Sequence, residues 1–164
     1  MKPALLIIDM QKVSYSGPSA ESMKKASETI NRAADLFRAK KLPVIWIQQD
    51  NGKDAVPGTE KFELLDSLKA LEGEKRIVKH YENSFVKTGL ADYLAAQGAD
   101  TPIVTGYCAQ YCVLSTYRGA KELDLSPLVL KKAVAGDNEA YLHLVEQICE
   151  VLSFSALEKL LSFF

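Results

Sequence analysis

The chain has 164 residues, of which 48% are hydrophobic and 25% are charged, proportions typical of one soluble globular domain spanning residues 1–164. Its net charge of −1 gives no electrostatic basis for binding nucleic acid or an anionic membrane surface, so neither is expected as a partner. Three cysteines without a recognisable secretory signal argue against a disulfide framework and predict a reduced, cytoplasmic protein.

Short apolar runs alternate with longer amphipathic stretches along the whole chain. The first helix is predicted from apolar residues that recur at helical spacing, namely Ile30, Ala33, Ala34 and Phe37. In chain order the predicted elements are a strand at Ala4–Ile8, a helix at about 19–41, a strand at Leu42–Gln48, a loop at 49–60, a strand at Arg76–Lys79, a helix at Leu90–Gln97, a strand at Pro102–Thr105, a helix at Val113–Leu123, a strand at Ser126–Lys131, a helix at Asn138–Glu150, a short strand at Val151–Phe154 and a terminal helix.

Continuous Val/Ile/Leu strands that alternate with helices are typical of a parallel sheet covered on both faces. The predicted fold class is therefore α/β, a three-layer doubly wound (Rossmann-like) sheet of five to six mostly parallel strands with helices on both faces. Ligands of such sheets bind beyond the carboxyl ends of the strands. The first strand ends at Asp9, the third at Lys79, and the fourth leads through Gly106 to Cys112. An acid, a lysine and a cysteine are thus expected at one edge of the sheet.

Each member of this trio has a possible chemical role. A thiol at a helix start, such as Cys112, is favoured as the thiolate and can attack a carbonyl, with nearby N–H groups stabilising the oxyanion. An ammonium at Lys79 would lower the pKa of that thiol, and Asp9 could carry the proton. The alternatives are a buried inert thiol, a carboxylate that only caps a turn and a solvated lysine at a strand end.

The sequence offers little basis for a metal or a cofactor. His80 and His143 lie far apart, and Cys108 and Cys112 are four residues apart with no second cysteine pair. There is neither a Walker-type loop nor a Gly-x-Gly-x-x-Gly motif. No metal and no cofactor are predicted.

Three motifs in order resemble the isochorismatase-like cysteine hydrolases, a family that includes nicotinamidases and N-carbamoylsarcosine amidohydrolases. They are the sequence Asp9-Met-Gln after the first strand, Lys79 followed by the pair Ser84-Phe85, and Gly106-x5-Cys112-Val113. The resemblance runs from Leu5 to about Asp137. It implies a catalytic triad of Asp9, Lys79 and Cys112, and cleavage of a C–N bond in a small amide, ureide or carbamoyl compound through a thioester acyl-enzyme.

The resemblance also implies a cis peptide between Tyr107 and Cys108, an oxyanion hole formed by the backbone N–H groups of Cys108 and Cys112, and a homo-oligomer, either a dimer or a tetramer. Substrate contacts are expected from Gln11, which could alternatively hold Asp9, and from four aromatic residues around the site: Tyr81, Phe85, Tyr107 and Tyr111. Trp46 lies within a predicted strand, so it is either a further aromatic residue of the pocket wall or part of the hydrophobic core.

The chain departs from the family pattern at three places. Ala109 and Gln110 replace the usual Thr and Asp or Glu, and the stretch 48–52 has no histidine where nicotinamidases carry an Asp-x-His metal motif. A metal and nicotinamide as substrate are therefore not expected. Two rival functions remain: ether hydrolysis of the isochorismatase type, which uses Asp9 without the cysteine, and a non-catalytic member that binds a small molecule or a protein.

Overall fold

A computed structural model describes all 164 residues of the chain. The strands are β1 (Pro3–Ile8), β2 (Val44–Gln49), β3 (Lys75–Lys79), β4 (Thr101–Gly106), β5 (Leu128–Val134) and β6 (Val151–Leu152). The α-helices are α1 (Gly17–Ala39), α2 (Leu90–Ala96), α3 (Leu114–Glu122), α4 (Glu139–Ile148) and α5 (Phe154–Leu161). Short 3-10 turns at Lys12–Ser14 and Glu60–Phe62 and a π-helical turn at Ala109–Val113 complete the elements.

The six strands form one parallel sheet in the order β3-β2-β1-β4-β5-β6, which confirms the predicted fold class. The chain extends the sheet from β1 through β2 to β3, and then crosses to the other side of β1 to place β4. The strand order therefore reverses between β1 and β4, and in such sheets the crevice at this point is where ligands bind.

Both faces of the sheet are covered by helices. β1 is buried along its whole length, and its side chains alternate between the two faces as strand geometry requires. Leu5 and Ile7 join the core cluster that contains residues of α1 and α5, whereas Leu6 and Ile8 join the cluster that contains residues of α2. None of the helices combines the length and the apolar character needed to cross a bilayer.

Two predicted helices differ from the observed ones. The helix after β4 is preceded by the π-helical turn Ala109–Val113, so regular α-helix begins at Leu114 and not at Val113. The predicted helix at Asn138–Glu150 is observed as α4, over Glu139–Ile148. Only Val145 of α4 is buried, where it packs with Ala109 and Val129, while Ile148 is 47% exposed and Cys149 caps the helix end.

Gly106, the last residue of β4, is held against the end of β1. Its φ is +111°, and a Cβ built there would lie 2.1 Å from the carbonyl oxygen of Ile8. Because Ile8 precedes Asp9, this contact fixes the spacing of the two strand ends that carry the candidate site.

We expect Gly106→Ala to lower the free energy of unfolding by about 3 kcal/mol or more, because the new Cβ adds a backbone clash to an unfavourable φ. Urea denaturation monitored by circular dichroism measures this loss. Gly89→Ala is the matched control, since Gly89 has φ −87° and open space around its Cα. We expect that control to change stability by less than about 1 kcal/mol. Equal effects of the two substitutions would contradict the interpretation.

Candidate active site

Asp9 turns the chain sharply as it leaves β1. Its φ is +48°, a left-handed value that is uncommon outside glycine but tolerated by Asp and Asn. Its N–H donates to the carbonyl of Ile47 at 2.9 Å, and its carbonyl accepts from the N–H of Gln11 at 2.9 Å. The residue is 6% exposed. The carboxylate is thus enclosed at the carboxyl edge of the sheet, directly beside the switch in strand order.

Lys79, the last residue of β3, is fully buried. Its Nζ lies 2.8 Å from Oδ2 of Asp9 and 3.4 Å from Sγ of Cys112, and it donates to the carbonyl of Tyr81 at 2.9 Å and to Oε1 of Gln49. A buried ammonium is costly unless it is paired and hydrogen-bonded. The alternative of a solvated lysine at a strand end is therefore wrong.

Cys112 lies in the π-helical turn that joins β4 to α3. The wide turn is closed by the N–H of Val113 donating to the carbonyl of Cys108 at 3.2 Å. Cys112 is a free, half-buried thiol. The structure therefore brings together the three side chains that the sequence placed at separate strand ends, with Lys79 in contact with both Asp9 and Cys112.

The electrostatics of the resting site differ from the expected lowering of the thiol pKa. Burial raises the pKa of Cys112, the negative charge of Asp9 raises it further, and the ammonium of Lys79 only partly opposes these effects. Burial also raises the pKa of the Asp9 carboxyl, against the opposing effect of Lys79. The resting thiol is therefore neutral at neutral pH, and its attack on a carbonyl requires a base that takes its proton.

Asp9 is the candidate for that base. Both of its carboxylate oxygens are enclosed, and neither accepts a hydrogen bond of regular geometry, although Oδ2 lies 2.8 Å from the Lys79 ammonium. We interpret the Lys79 contact as an ion pair, which leaves oxygen lone pairs free for a proton. The alternative that Asp9 only caps a turn does not account for a carboxylate buried beside an ammonium.

The turn around Cys108 has the geometry that the family resemblance implies. The Tyr107–Cys108 peptide bond is cis, and the Cys108 N–H donates to no acceptor of the chain. The Cys108 thiol donates to Oε1 of Gln110 at 2.8 Å, and burial raises its pKa. Cys108 thus has its side chain engaged and its N–H available, in agreement with a backbone role, although the oxyanion hole itself stays a prediction.

Gln110, one of the departures from the family pattern, links this turn to the loop after β5. Its Oε1 accepts from the Cys108 thiol, and its Nε2 donates to Asp137 at 3.0 Å. The N–H of Ala109 donates to the carbonyl of Ala135 at 2.9 Å. The turn is therefore supported by hydrogen bonds even though the usual hydroxyl and carboxylate are missing.

The side chain of Gln11 binds backbone groups of Gln49 and Phe62. It is 1% exposed; its Nε2 donates to the carbonyls of Phe62 at 2.8 Å and Gln49 at 3.1 Å, while its Oε1 accepts from the N–H of Gln49 at 2.7 Å. Both amide hydrogens are already donated and the side chain is enclosed, so in this structure Gln11 holds the end of β2. The substrate contact of Gln11 stays a prediction.

The predicted aromatic contacts fall into two groups. Tyr107 and Phe85 are half-buried and pack on the core clusters, and the hydroxyl of Tyr107 lies 3.0 Å from that of Ser19. Tyr81 and Tyr111 are 44% and 55% exposed. The substrate-binding roles of these four residues stay predictions. Trp46 is plain core, since it is fully buried and donates its indole N–H to Glu74 at 2.7 Å.

Gln49 is the residue of the site whose role sequence reasoning missed. It ends β2, paired with Lys79 of β3, and its Oε1 accepts from the Lys79 ammonium and lies 3.9 Å from Sγ of Cys112. The available signal was its position as a polar residue at the carboxyl end of a strand next to the switch point.

No group of three or more His, Cys, Asp or Glu side chains is close enough together to hold a metal ion. In the stretch that corresponds to the nicotinamidase metal motif, Asp50 Oδ2 lies 3.9 Å from Nδ1 of His80, and Asp50 Oδ1 accepts from the N–H of Gly52. The residues present do not form a ligand set of the kind described for nicotinamidases.

Comparison with known proteins agrees with this geometry. The model of the isochorismatase domain family matches residues 3–149. The chain belongs to the isochorismatase family. Members of this family are hydrolases, and the chain is accordingly an isochorismatase-family hydrolase.

Three curated proteins illustrate the similarity of this chain to its relatives. The uncharacterised isochorismatase family protein YrdC of Bacillus subtilis is 30% identical over 82% of this chain and 74% of its own length. The secreted isochorismatase effector Isc1 of Verticillium dahliae is 30% identical over 82% of this chain and 73% of its own. Maleamate amidohydrolase of Pseudomonas putida is 29% identical over 60% of this chain and 46% of its own.

Solved structures of the family share the fold. N-carbamoylsarcosine amidase of Thermoplasma acidophilum superimposes with a TM-score of 0.80 at 24% identity, over 93% of this chain and 95% of that one. A putative isochorismatase-family hydrolase of Chromobacterium violaceum gives a TM-score of 0.86 at 21% identity, over 99% and 95% of the two chains.

Proposed function

We propose that the protein is a cysteine-dependent amidohydrolase that cleaves a C–N bond of a small amide, ureide or carbamoyl compound through a thioester formed on Cys112. The observation that carries the proposal is the position of the Lys79 ammonium, 2.8 Å from the Asp9 carboxylate and 3.4 Å from the Cys112 sulfur. Two relatives named as amidases, N-carbamoylsarcosine amidase and maleamate amidohydrolase, support this reaction class.

Acylation begins as the Cys112 sulfur attacks the substrate carbonyl while its proton passes to Asp9. The raised pKa of Asp9 favours this transfer, because a buried carboxylate gains by becoming neutral. Negative charge thereby moves from Asp9 to the sulfur and the carbonyl oxygen. The Lys79 ammonium contacts both the Asp9 carboxylate and the Cys112 sulfur, so it stabilises the charge before and after the proton transfer. The tetrahedral intermediate collapses when Asp9 returns the proton to the leaving nitrogen, which gives an amine or ammonia and the thioester.

Deacylation repeats these steps with water. Asp9 removes a proton from the water that attacks the thioester carbonyl, the C–S bond breaks, and the sulfur recovers the proton. The products are a carboxylic acid and the free thiol. In the proposal, the N–H groups of Cys108 and Cys112 stabilise the oxyanion in both halves of the reaction, and no cofactor takes part.

The charge state of the site can be tested without a substrate. Because the pKa of Cys112 is raised, we expect its alkylation by iodoacetamide to be slow at neutral pH and to rise only above the free-thiol pKa of about 8.5. Lys79→Met removes the cation that favours the thiolate, so it should slow alkylation further at every pH below the plateau. Peptide mass spectrometry measures each cysteine separately.

Cys149 is the internal control, since it lies at the end of α4 and should respond to pH in the same way in both proteins. An apparent pKa below 8.5 for Cys112 would contradict the neutral resting thiol. An unchanged profile in Lys79→Met would remove Lys79 from the proposed triad. Release of ammonia from maleamate and N-carbamoylsarcosine is then the direct activity assay.

We also propose that residues 1–164 act as one domain and that the protein assembles as a dimer or tetramer. The support is a set of exposed apolar side chains on α4 and at the C-terminus, namely Tyr141, Leu144, Ile148 and Phe163. The cytoplasmic location rests on three unpaired cysteines and stays a prediction, since the relative Isc1 is described as secreted.

A further inference from the structure

The orientation of the Gln49 amide is fixed by its neighbours. Oxygen and nitrogen of a glutamine amide look alike, but the ammonium of Lys79 has donors only, so the atom that faces it must be Oε1. The Nε2 group therefore points away from Lys79.

The rest of Gln49 is held firmly in place. Its backbone N–H and carbonyl both hydrogen-bond to the side chain of Gln11, at 2.7 and 3.1 Å, and Gln11 is itself anchored to the carbonyl of Phe62. A donor carried by such a rigid residue needs little reordering when it binds a ligand.

The Nε2 group of Gln49 donates to no acceptor of the chain. Gln49 is half-buried, and Nε2 is not among the enclosed polar atoms that lack a partner, so Nε2 is accessible to solvent. The Oε1 atom of the same amide lies 3.9 Å from Sγ of Cys112. The site therefore presents an unused N–H donor next to the attacking sulfur. Its neighbour Gln48, by contrast, uses both amide atoms, with Nε2 donating to Phe62 and Oε1 accepting from Arg76.

We infer that Gln49 is a specificity-determining residue, whose Nε2 donates a hydrogen bond to a second oxygen acceptor of the substrate close to the scissile carbonyl. The substrates are then amides that carry another carbonyl or carboxylate oxygen, and simple aliphatic amides are poor ligands. This inference deepens the proposed function and rests on it for the identity of the scissile bond.

The test compares two neutral ligands of similar shape. Malonamide carries a second amide oxygen, and in isovaleramide an isopropyl group replaces that second amide. The rate at which iodoacetamide alkylates Cys112 is measured at increasing concentrations of each ligand. The concentration that halves this rate gives the affinity of the ligand for the site. We expect wild type to bind malonamide about tenfold or more tightly than isovaleramide, the effect of one well-placed hydrogen bond.

Two variants separate the donor from the packing. Gln49→Glu keeps an oxygen for Lys79 and loses the donor, whereas Gln49→Met loses both; we expect the preference to fall to near unity in each. Gln48→Met, on the neighbouring residue, should keep the preference. Absence of a preference in wild type, or an equal loss of affinity for both ligands in the Gln49 variants, would overturn the inference. Protection requires no turnover, so the preference tests the Gln49 hydrogen bond separately from hydrolysis. Absence of ammonia release from every amide tested would refute the amidohydrolase function, and the preference for a second oxygen acceptor would still stand.

Discussion

Replacement of Cys112 by alanine is expected to lower amide turnover by at least about 10⁴-fold, because the proposed reaction has no route to the thioester without the sulfur. The half-buried side chain makes a small contribution to packing, so the variant should fold. The measurement is ammonia release from the best substrate found, at enzyme concentrations high enough to detect the residual rate.

Two matched substitutions serve as controls for this experiment. Cys149→Ala removes a thiol at the end of α4 and should leave the rate unchanged. Cys108→Ala removes the thiol bonded to Gln110 while keeping the backbone N–H, and should reduce the rate far less than Cys112→Ala. Retention of hydrolysis by Cys112→Ala together with its loss in Asp9 variants would favour ether hydrolysis of the isochorismatase type. A wild type with neither activity would favour the non-catalytic binding member.

The sheet and the meeting of the three side chains were predictable from the sequence. Strands that are buried on both faces have continuous apolar sequences, so β1 and β4 could be predicted from composition alone. Parallel strands end at a common edge, and for this reason Asp9 and Lys79 could be placed together although 70 positions apart in the numbering.

The hydrogen bonds that hold the site were not predictable in the same way. Gln11 and Gln49 are both polar residues after strands, and nothing in their spacing indicates that one is committed to backbone groups while the other keeps a free donor. The π-helical turn before α3 was missed because it differs from an ordinary helix start only in which carbonyl each N–H reaches. The hydrogen bonds of Gln11 and Gln49 and the form of the turn before α3 all depend on contacts between residues that are far apart in the sequence.

The direction of the Cys112 pKa also depended on the folded geometry. Helix position and a neighbouring lysine predict a lowered value, whereas depth of burial and the charge of Asp9 raise it. The sequence names the charges but not how deeply they are buried or which lies nearer. The resulting neutral thiol makes the proton acceptor, Asp9, the decisive partner in the proposed mechanism.

Replacement of Asp9 by asparagine is expected to change two measurements in opposite directions. Amide turnover should fall by about 10³-fold, the range of a lost general base, because the thiol proton then has no acceptor. Alkylation of Cys112 at neutral pH should instead become faster, since removal of the Asp9 charge lowers the pKa of the thiol and leaves the Lys79 ammonium to favour the thiolate. Asparagine tolerates the left-handed φ of +48°, so the turn should be retained.

The opposite signs separate a catalytic base from a merely structural carboxylate. A variant that misfolds around the turn would show faster alkylation of all three cysteines and a lower unfolding free energy, and Asp9→Ala, which places an alanine at that φ, provides the comparison. If Asp9 served only to depress thiol reactivity, asparagine would speed both alkylation and turnover. If Asp9 is the proton carrier, the Asp9→Asn enzyme is inactive even though its Cys112 sulfur is more reactive. The leaving nitrogen then receives no proton, and the tetrahedral intermediate returns to substrate.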